Sequence, residues 1–204
     1  MSELWRRLAA WRHAEDSLVA AANTVALVVA WNTPFYPLYV WWAAGSGGMP
    51  YALATLCSLP FFAAVPEVTR RSPRAGRAML PVVGVVNSVF CTWLLGADSG
   101  TELFNLPCIV LGGLLFRPSE RVWQLAIVGL PIAALLLFHG HYGTPPHVYT
   151  AEQYHGLFAM NLFSVATLFG FMALLFGPAS PVTPAPIGEL TARQSPHPNT
   201  RRSP

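Results

Sequence analysis

Lysine is absent from this chain, and charge of either sign is sparse: 12 Arg and 9 acidic residues make up 10% of its 204 positions, where a soluble domain carries roughly 25%. That shortage excludes an ordinary water-soluble surface, and 53% hydrophobic residues point to one integral membrane domain. Cysteine is scarce too. Cys57, Cys91 and Cys108 stand apart, each inside an apolar run, which excludes a disulfide framework or a CxxC metal pair and leaves buried, inert thiols as the expectation. No His falls inside an apolar run, which sets axial haem ligation aside. No Ser, Cys or Asp nucleophile has a recognisable base in any motif, so the chain is not expected to be an enzyme. No repeat relates residues 17–96 to 102–177, the halves that a transporter with paired broken helices would duplicate.

What is present is a series of apolar runs separated by short turns. About 20 apolar residues in a helix span a hydrocarbon layer of about 30 Å, and on that measure the sequence predicts six crossings. The first uncharged stretch runs from Ser17 to Gly45. Pro34 and Pro37 predict that its helix ends near Asn32, which leaves Trp31, Phe35, Tyr36, Tyr39, Trp41 and Trp42 at the outer interface. One long tilted helix is the alternative, with the same topology. The second crossing is expected over Tyr51 to Pro66, the third over Ala78 to Gly96, a short fourth over Glu102 to Phe116, the fifth over Val122 to Phe138 and the sixth over Gly156 to Phe176. Pro107 and the pair Gly112-Gly113 mark the fourth as tilted, packed away from lipid, or partly re-entrant. Glu67 to Arg77 is expected as an Arg-rich loop, and His139 to His155 as the one sizeable loop on the opposite side.

Every Arg then lies on one side: Arg6, Arg7 and Arg12 before the first run, Arg70, Arg71, Arg74 and Arg77 after the second, Arg117 and Arg121 after the fourth, and Arg193, Arg201 and Arg202 after the sixth. Cytoplasmic loops retain such charges, so both termini are expected in the cytoplasm. The same Arg suit anionic headgroups, and no nucleic-acid partner is read into the formal charge of +3. Residues 1–16 place Leu4, Leu8 and Trp11 on one face of an interfacial amphipathic helix. Three Arg before an apolar run, with Val28-Val29-Ala30, also fit a secretory signal, whereas Glu15 and Asp16 directly before the run do not. Residues 17–177 form the transmembrane domain. Residues 178–204, rich in Pro and without apolar period, are expected to be a disordered cytoplasmic tail.

Charge inside or at the mouth of a helical bundle marks the first place to look for function. Asp98 and Glu102 flank the turn between the third and fourth runs, on the side that lacks Arg. Glu102 reads either as part of a solvated acidic turn or as the lid of a small outward-facing pocket. Asn105 and Asn161 are candidate ligand contacts, although amides in membrane helices commonly hydrogen-bond between helices. His139, His141, His147 and His155 crowd one loop. An extended His139-x-His141 pair projects both rings to one face and suits a transition metal, while proton sensing is an alternative, since Glu152 and its like raise a His pKa from near 6.5. No cofactor is required by the sequence.

The run from Arg70 to Phe138 also carries a pattern of short motifs. An Arg-rich loop ends in Gly76-Arg77, and Gly96-Ala-Asp-Ser-Gly100-Thr-Glu-Leu-Phe104 forms the outer turn. A helix closes on Leu114-Leu-Phe116, Arg117-Pro-Ser-Glu-Arg121 makes a basic turn, and Met160-Asn161 opens the last helix. In this order the chain resembles bacterial six-helix membrane modules that precede adenylate cyclase, diguanylate cyclase or histidine kinase domains. The resemblance implies the sensor or anchor half of such a system. It departs at Gly177-Pro178, where a signalling helix would continue and Pro opposes one. The expectation is therefore an all-α, polytopic protein of a bacterial cytoplasmic (inner) membrane, non-catalytic and sensory, with an outward-facing site bounded by Asp98, Glu102 and the His loop. Its partners are the lipid bilayer and further membrane helices, in an oligomer or another protein. A metal-handling or small-solute transport protein, or an accessory subunit of a membrane complex, is the alternative.

Overall fold

Asp16 opens the first helix of the computed structural model, which describes residues 16–177. The interfacial helix expected before Asp16 and the tail expected over 178–204 lie outside the described residues. The Asp16 carboxylate accepts from Leu18 N at 3.0 Å and so satisfies one of the donors that a helix start leaves free. Helix α1 runs Ser17–Asn32. Pro34 has no N–H to offer the preceding turn, and the chain tightens into a 3-10 segment, Thr33–Phe35, before resuming as α2, Tyr36–Ala44. Both readings of the first run are partly met: the α-helix ends at Asn32, yet helical backbone continues to Gly45, whose φ of 76° closes it.

Helix α3 (Met49–Ala54), a 3-10 segment (Thr55–Ser58) and α4 (Leu59–Arg71) make the second pass. Here the expected loop over Glu67 to Arg77 is corrected, because the helix runs through Pro66 to Arg71 and α5, Pro73–Leu95, begins after the single residue Ser72. Local chemistry explains it. Glu67 accepts from Arg70 Nη1 at 2.9 Å and Arg71 Nε at 3.1 Å, which places two cations in the last turn of α4, where the helix dipole favours them. Ser72 then accepts from Ala75 N at 3.4 Å with Pro73 in the first turn of α5. Gly76 permits the close crossing, since a Cβ there would lie 2.6 Å from Thr69 N.

A 3-10 turn over Thr101–Phe104 leads into α6, Asn105–Leu114, followed by α7, Arg121–Phe138, and α8, Ala151–Phe176. The last helix starts five residues before the expected Gly156 because Thr150 and Gln153 form a capping box, with Gln153 N donating to Thr150 Oγ1 at 3.3 Å and Thr150 N to Gln153 Oε1 at 2.9 Å. Among the described residues there is no strand. Five helical stretches, Ser17–Ala44, Met49–Arg71, Pro73–Leu95, Pro118–Phe138 and Ala151–Phe176, are long and apolar enough to cross a membrane, and Thr101–Leu114 is a shorter apolar helix. At 1.5 Å per residue the short one rises roughly 21 Å, less than a hydrocarbon core.

The core follows from small residues. Ala22, Val25 and Ala26 of α1 pack with Val65 of α4, Leu80 of α5, Leu111 of α6 and Met172 of α8, and a second cluster joins Val40, Ala44, Ala52, Leu94, Leu95 and Leu157. Outside it, Val122, Leu125, Leu136 and Leu137 of α7 stay exposed, and so do Phe163 and Leu174 of α8. An apolar skin of this extent belongs in lipid. The chain is a multi-pass integral membrane protein.

Candidate functional site

At the end of the bundle that carries Asp98, Glu102 and His139, the chain turns from α5 into α6 over Gly96–Gly100. Both glycines adopt positive φ, 90° and 77°, where a side chain is strained. A Cβ at Gly100 would also lie 2.8 Å from the Phe158 ring, so the turn sits hard against α8. Asn161 secures it. Its Nδ2 donates to the Ser99 carbonyl at 2.8 Å, and its Oδ1 accepts from the Tyr36 hydroxyl at 3.1 Å, which ties α2, α8 and the turn together through one buried amide.

Asn105 does the same between α5 and α6. Its Nδ2 donates to Ser88 Oγ and to the Glu102 carbonyl, both at 3.0 Å, and Ser88 Oγ donates to the Thr101 carbonyl at 3.0 Å. Thr92 donates to the Ser88 carbonyl at 2.8 Å, Ser99 donates to the Gly96 carbonyl at 2.6 Å, and Thr101 Oγ1 lies 3.0 Å from Thr92 Oγ1 and 2.9 Å from Ser99 Oγ. Three hydroxyl protons serve these four contacts, so one is always unfilled. Asn105 Oδ1 is buried without a partner among the described residues. With Thr92 and Ser99 donating to carbonyls, the Thr101 proton can go to Thr92 Oγ1 or to Ser99 Oγ, but not to both.

Above the network, Glu102 and His139 meet. His139 Nδ1 lies 2.9 Å from Glu102 Oε2, with the carboxylate side chain 13% exposed and the imidazole 78% exposed. The hydrogen bond to Glu102 raises the His139 pKa, and the carboxylate charge adds to the effect. Glu102 Oε1 remains buried and unpartnered, and the Tyr142 hydroxyl is buried nearby without a well-formed hydrogen bond. Burial, followed by the charge of Glu102, raises the Tyr142 pKa.

The other candidates do not join this pair. Asp98 is exposed on the turn. The extended His139-x-His141 pair is corrected: Gly140 has φ 73°, and His141 N donates to the Phe138 carbonyl at 2.8 Å, so the segment is a turn. The ring of His141 bonds the His139 carbonyl at 2.9 Å instead of facing a shared ion. His147 stacks on Tyr51 at 6.2 Å and meets Tyr149 edge-on at 4.6 Å. His155 lies within α8, exposed, because the capping box brings that helix back to Ala151. Among the described residues no three His, Cys, Asp or Glu side chains gather as a metal centre.

Two features lay outside the sequence reading. Ser88 and Thr92, four apart on α5, place two hydroxyls on one helix face, a signal present in the sequence and left unused. At the opposite end Arg77, expected in a loop, is 3% exposed. Its Nη1 donates to the Leu115 carbonyl at 2.7 Å and Glu120 Oε2 at 3.0 Å, its Nη2 donates to Glu120 Oε1 at 2.9 Å, and the guanidinium sits 5.5 Å from the Phe116 ring centre. Arg74 Nε adds a further bond to Glu120 Oε1 at 2.9 Å. This clasp joins the start of α5 to the turn between α6 and α7.

No protein-family model, curated protein or solved structure matches this chain.

Proposed function

We propose that the chain is a non-catalytic sensory module with six passes in a bacterial inner membrane, both termini on the cytoplasmic side with the Arg residues, and its receiving site at the Glu102–His139 end. The observation that carries this reading is the 2.9 Å contact between Glu102 and His139, seated on a hydroxyl and amide network that reaches α2, α5, α6 and α8. A proton on His139, or a polar ligand that competes for either partner, changes the contact that the Glu102 carboxylate makes, and the Glu102 backbone carbonyl accepts from Asn105. The short fourth pass follows directly. Its N-terminus holds Glu102 and its C-terminus leads into the clasp at Arg77 and Glu120, so a shift of α6 reaches the cytoplasmic face within one short helix. The resemblance of residues 70–138 to modules that precede cyclase and kinase domains supports the same role.

The test is the pH dependence of stability and of the clasp. Because Glu102 raises the folded-state pKa of His139, the pair stabilises the fold fully below about pH 6.5, the unfolded value, and the contribution is lost as pH rises through the higher folded value. Thermal unfolding of the purified chain between pH 5 and 9 should show that loss, and Glu102→Gln or His139→Gln should flatten it. Hydrogen exchange at the start of α5 should change over the same interval in the unsubstituted protein alone. An identical profile in all three proteins would remove the site from this account.

A further inference from the structure

Below the polar network lies a cavity of about 1070 Å³ lined by α1, α2, α4, α5, α6 and α8, with Thr55 and Ser58 just before α4. It is at the upper limit of the pockets that hold drug-sized molecules, roughly 300–1,000 Å³. Its lining includes no Asp, Glu, Arg, Lys or His. A charge placed there would be unpaired at membrane depth, which costs several kcal/mol, so the occupant that fits is uncharged.

The lining is also graded along its length. Toward the Arg-bearing end it is mainly apolar, with Val25, Phe62, Leu80, Leu111 and Phe171, and the polar Thr167 stands at the mouth. Higher up, Asn87, Ser88 and Thr101 face it. Ser88 and Thr101 are committed to the network, whereas Asn87 Oδ1 accepts only the Cys91 thiol at 3.5 Å, and Asn87 Nδ2 donates to nothing among the described residues. From Asn87 to Leu80 the helix rises roughly 10 Å. The mouth is lateral. Val28 and Trp31 of α1 and Ala159, Phe163 and Thr167 of α8 belong to the lining and are exposed, so the opening lies in the apolar skin between two helices that touch at few points.

We propose that this cavity is a binding site for an uncharged single-chain amphiphile that enters sideways from the bilayer. Its hydroxyl or carbonyl head accepts a hydrogen bond from Asn87 Nδ2, and its alkyl chain lies along Leu80, Leu111 and Phe171. A guest seated this way spans the gap between α1 and α8 and bears on the helices that the network joins. The site is separate from the Glu102–His139 pair, and either stands without the other.

The test uses the full chain in phospholipid nanodiscs with a 1-decanol analogue that carries a diazirine on its chain, and adducts are mapped by mass spectrometry. Adducts are expected between residues 80 and 111 and between 156 and 171. Excess 1-decanol should abolish them, while decane and ionised decanoate at pH 8 should not. Asn87→Leu should raise the 1-decanol concentration needed about tenfold, the effect of one hydrogen bond of about 1.4 kcal/mol. Ala159→Trp, a change at an exposed position of the mouth, should suppress the adducts while the melting temperature holds. Adducts confined to the outward side chains of α7 would overturn the proposal, and so would equal competition by decane or adducts undiminished in Ala159→Trp.

Discussion

A guanidinium as buried as that of Arg77 must find its charge compensation inside the protein. It does so through both oxygens of Glu120 and the Leu115 carbonyl. Arg77→Met leaves Glu120 with Arg74 as its remaining cation, so the cost falls at the lower end for a broken buried pair, about 3 kcal/mol. Replacing both partners, Arg77→Met with Glu120→Met, should restore much of that, since the desolvation of two charges is then avoided. Reversible unfolding in mixed detergent and SDS micelles measures both. Equal stability of the single and double variants would show that the pair carries little. Nothing in the sequence separates Arg77 from Arg70, Arg71 and Arg74, because all four fall in one basic stretch and only the packing of α5 on the turn after Leu115 buries one of them. Glu102 and His139 were legible for the opposite reason. Each is a polar residue at the edge of an apolar run, and successive passes of opposite direction bring the start of one and the end of the next to the same end of the bundle.

Among the elements, periodicity and hydropathy located the apolar helices but left Tyr36–Ala44 outside the first one in the preferred reading and missed the ends at Arg71, Pro73 and Ala151 by five residues, and these three errors sit where a side chain sets the boundary. Ser72 stops α4 and starts α5 in one position, and the Thr150–Gln153 box moves the start of α8 toward the loop, which takes His155 out of it. Neither boundary has a hydropathy signature, because the residues gained are polar. The close crossing at Gly76 gives this scale its prediction. A methyl group there meets backbone atoms of Thr69, which cannot yield as a flexible side chain would. Gly76→Ala should cost about 1–3 kcal/mol, whereas Gly113→Ala, in a helix where a Cβ meets nothing within 4 Å, should be neutral or stabilising by up to about 1 kcal/mol. The same micelle unfolding assay checks it, and equal effects at the two positions would contradict the tight crossing. The four histidines failed to gather for an equally local reason: the Gly140 turn and the aromatic packing of His147 on Tyr51 and Tyr149 direct them apart.

For the whole molecule, the described Arg residues collect at one end, where Arg117 also reaches Asp16 at 3.1 Å, and the acidic turn and His loop close the other. The cavity between α1 and α8 was not legible, since its walls are drawn from five segments and each of its residues reads singly as lipid-facing or core. Sensing at one end and transmission at the other require that these ends face different compartments, with the short Thr101–Leu114 helix completing an even number of passes. Single cysteines at positions 71, 119 and 144, in a chain without Cys57, Cys91 and Cys108, test that arrangement most directly. With a membrane-impermeant maleimide on intact cells, position 144 should label and positions 71 and 119 should label only after permeabilisation. Labelling of 71 or 119 together with 144 on intact cells would contradict it.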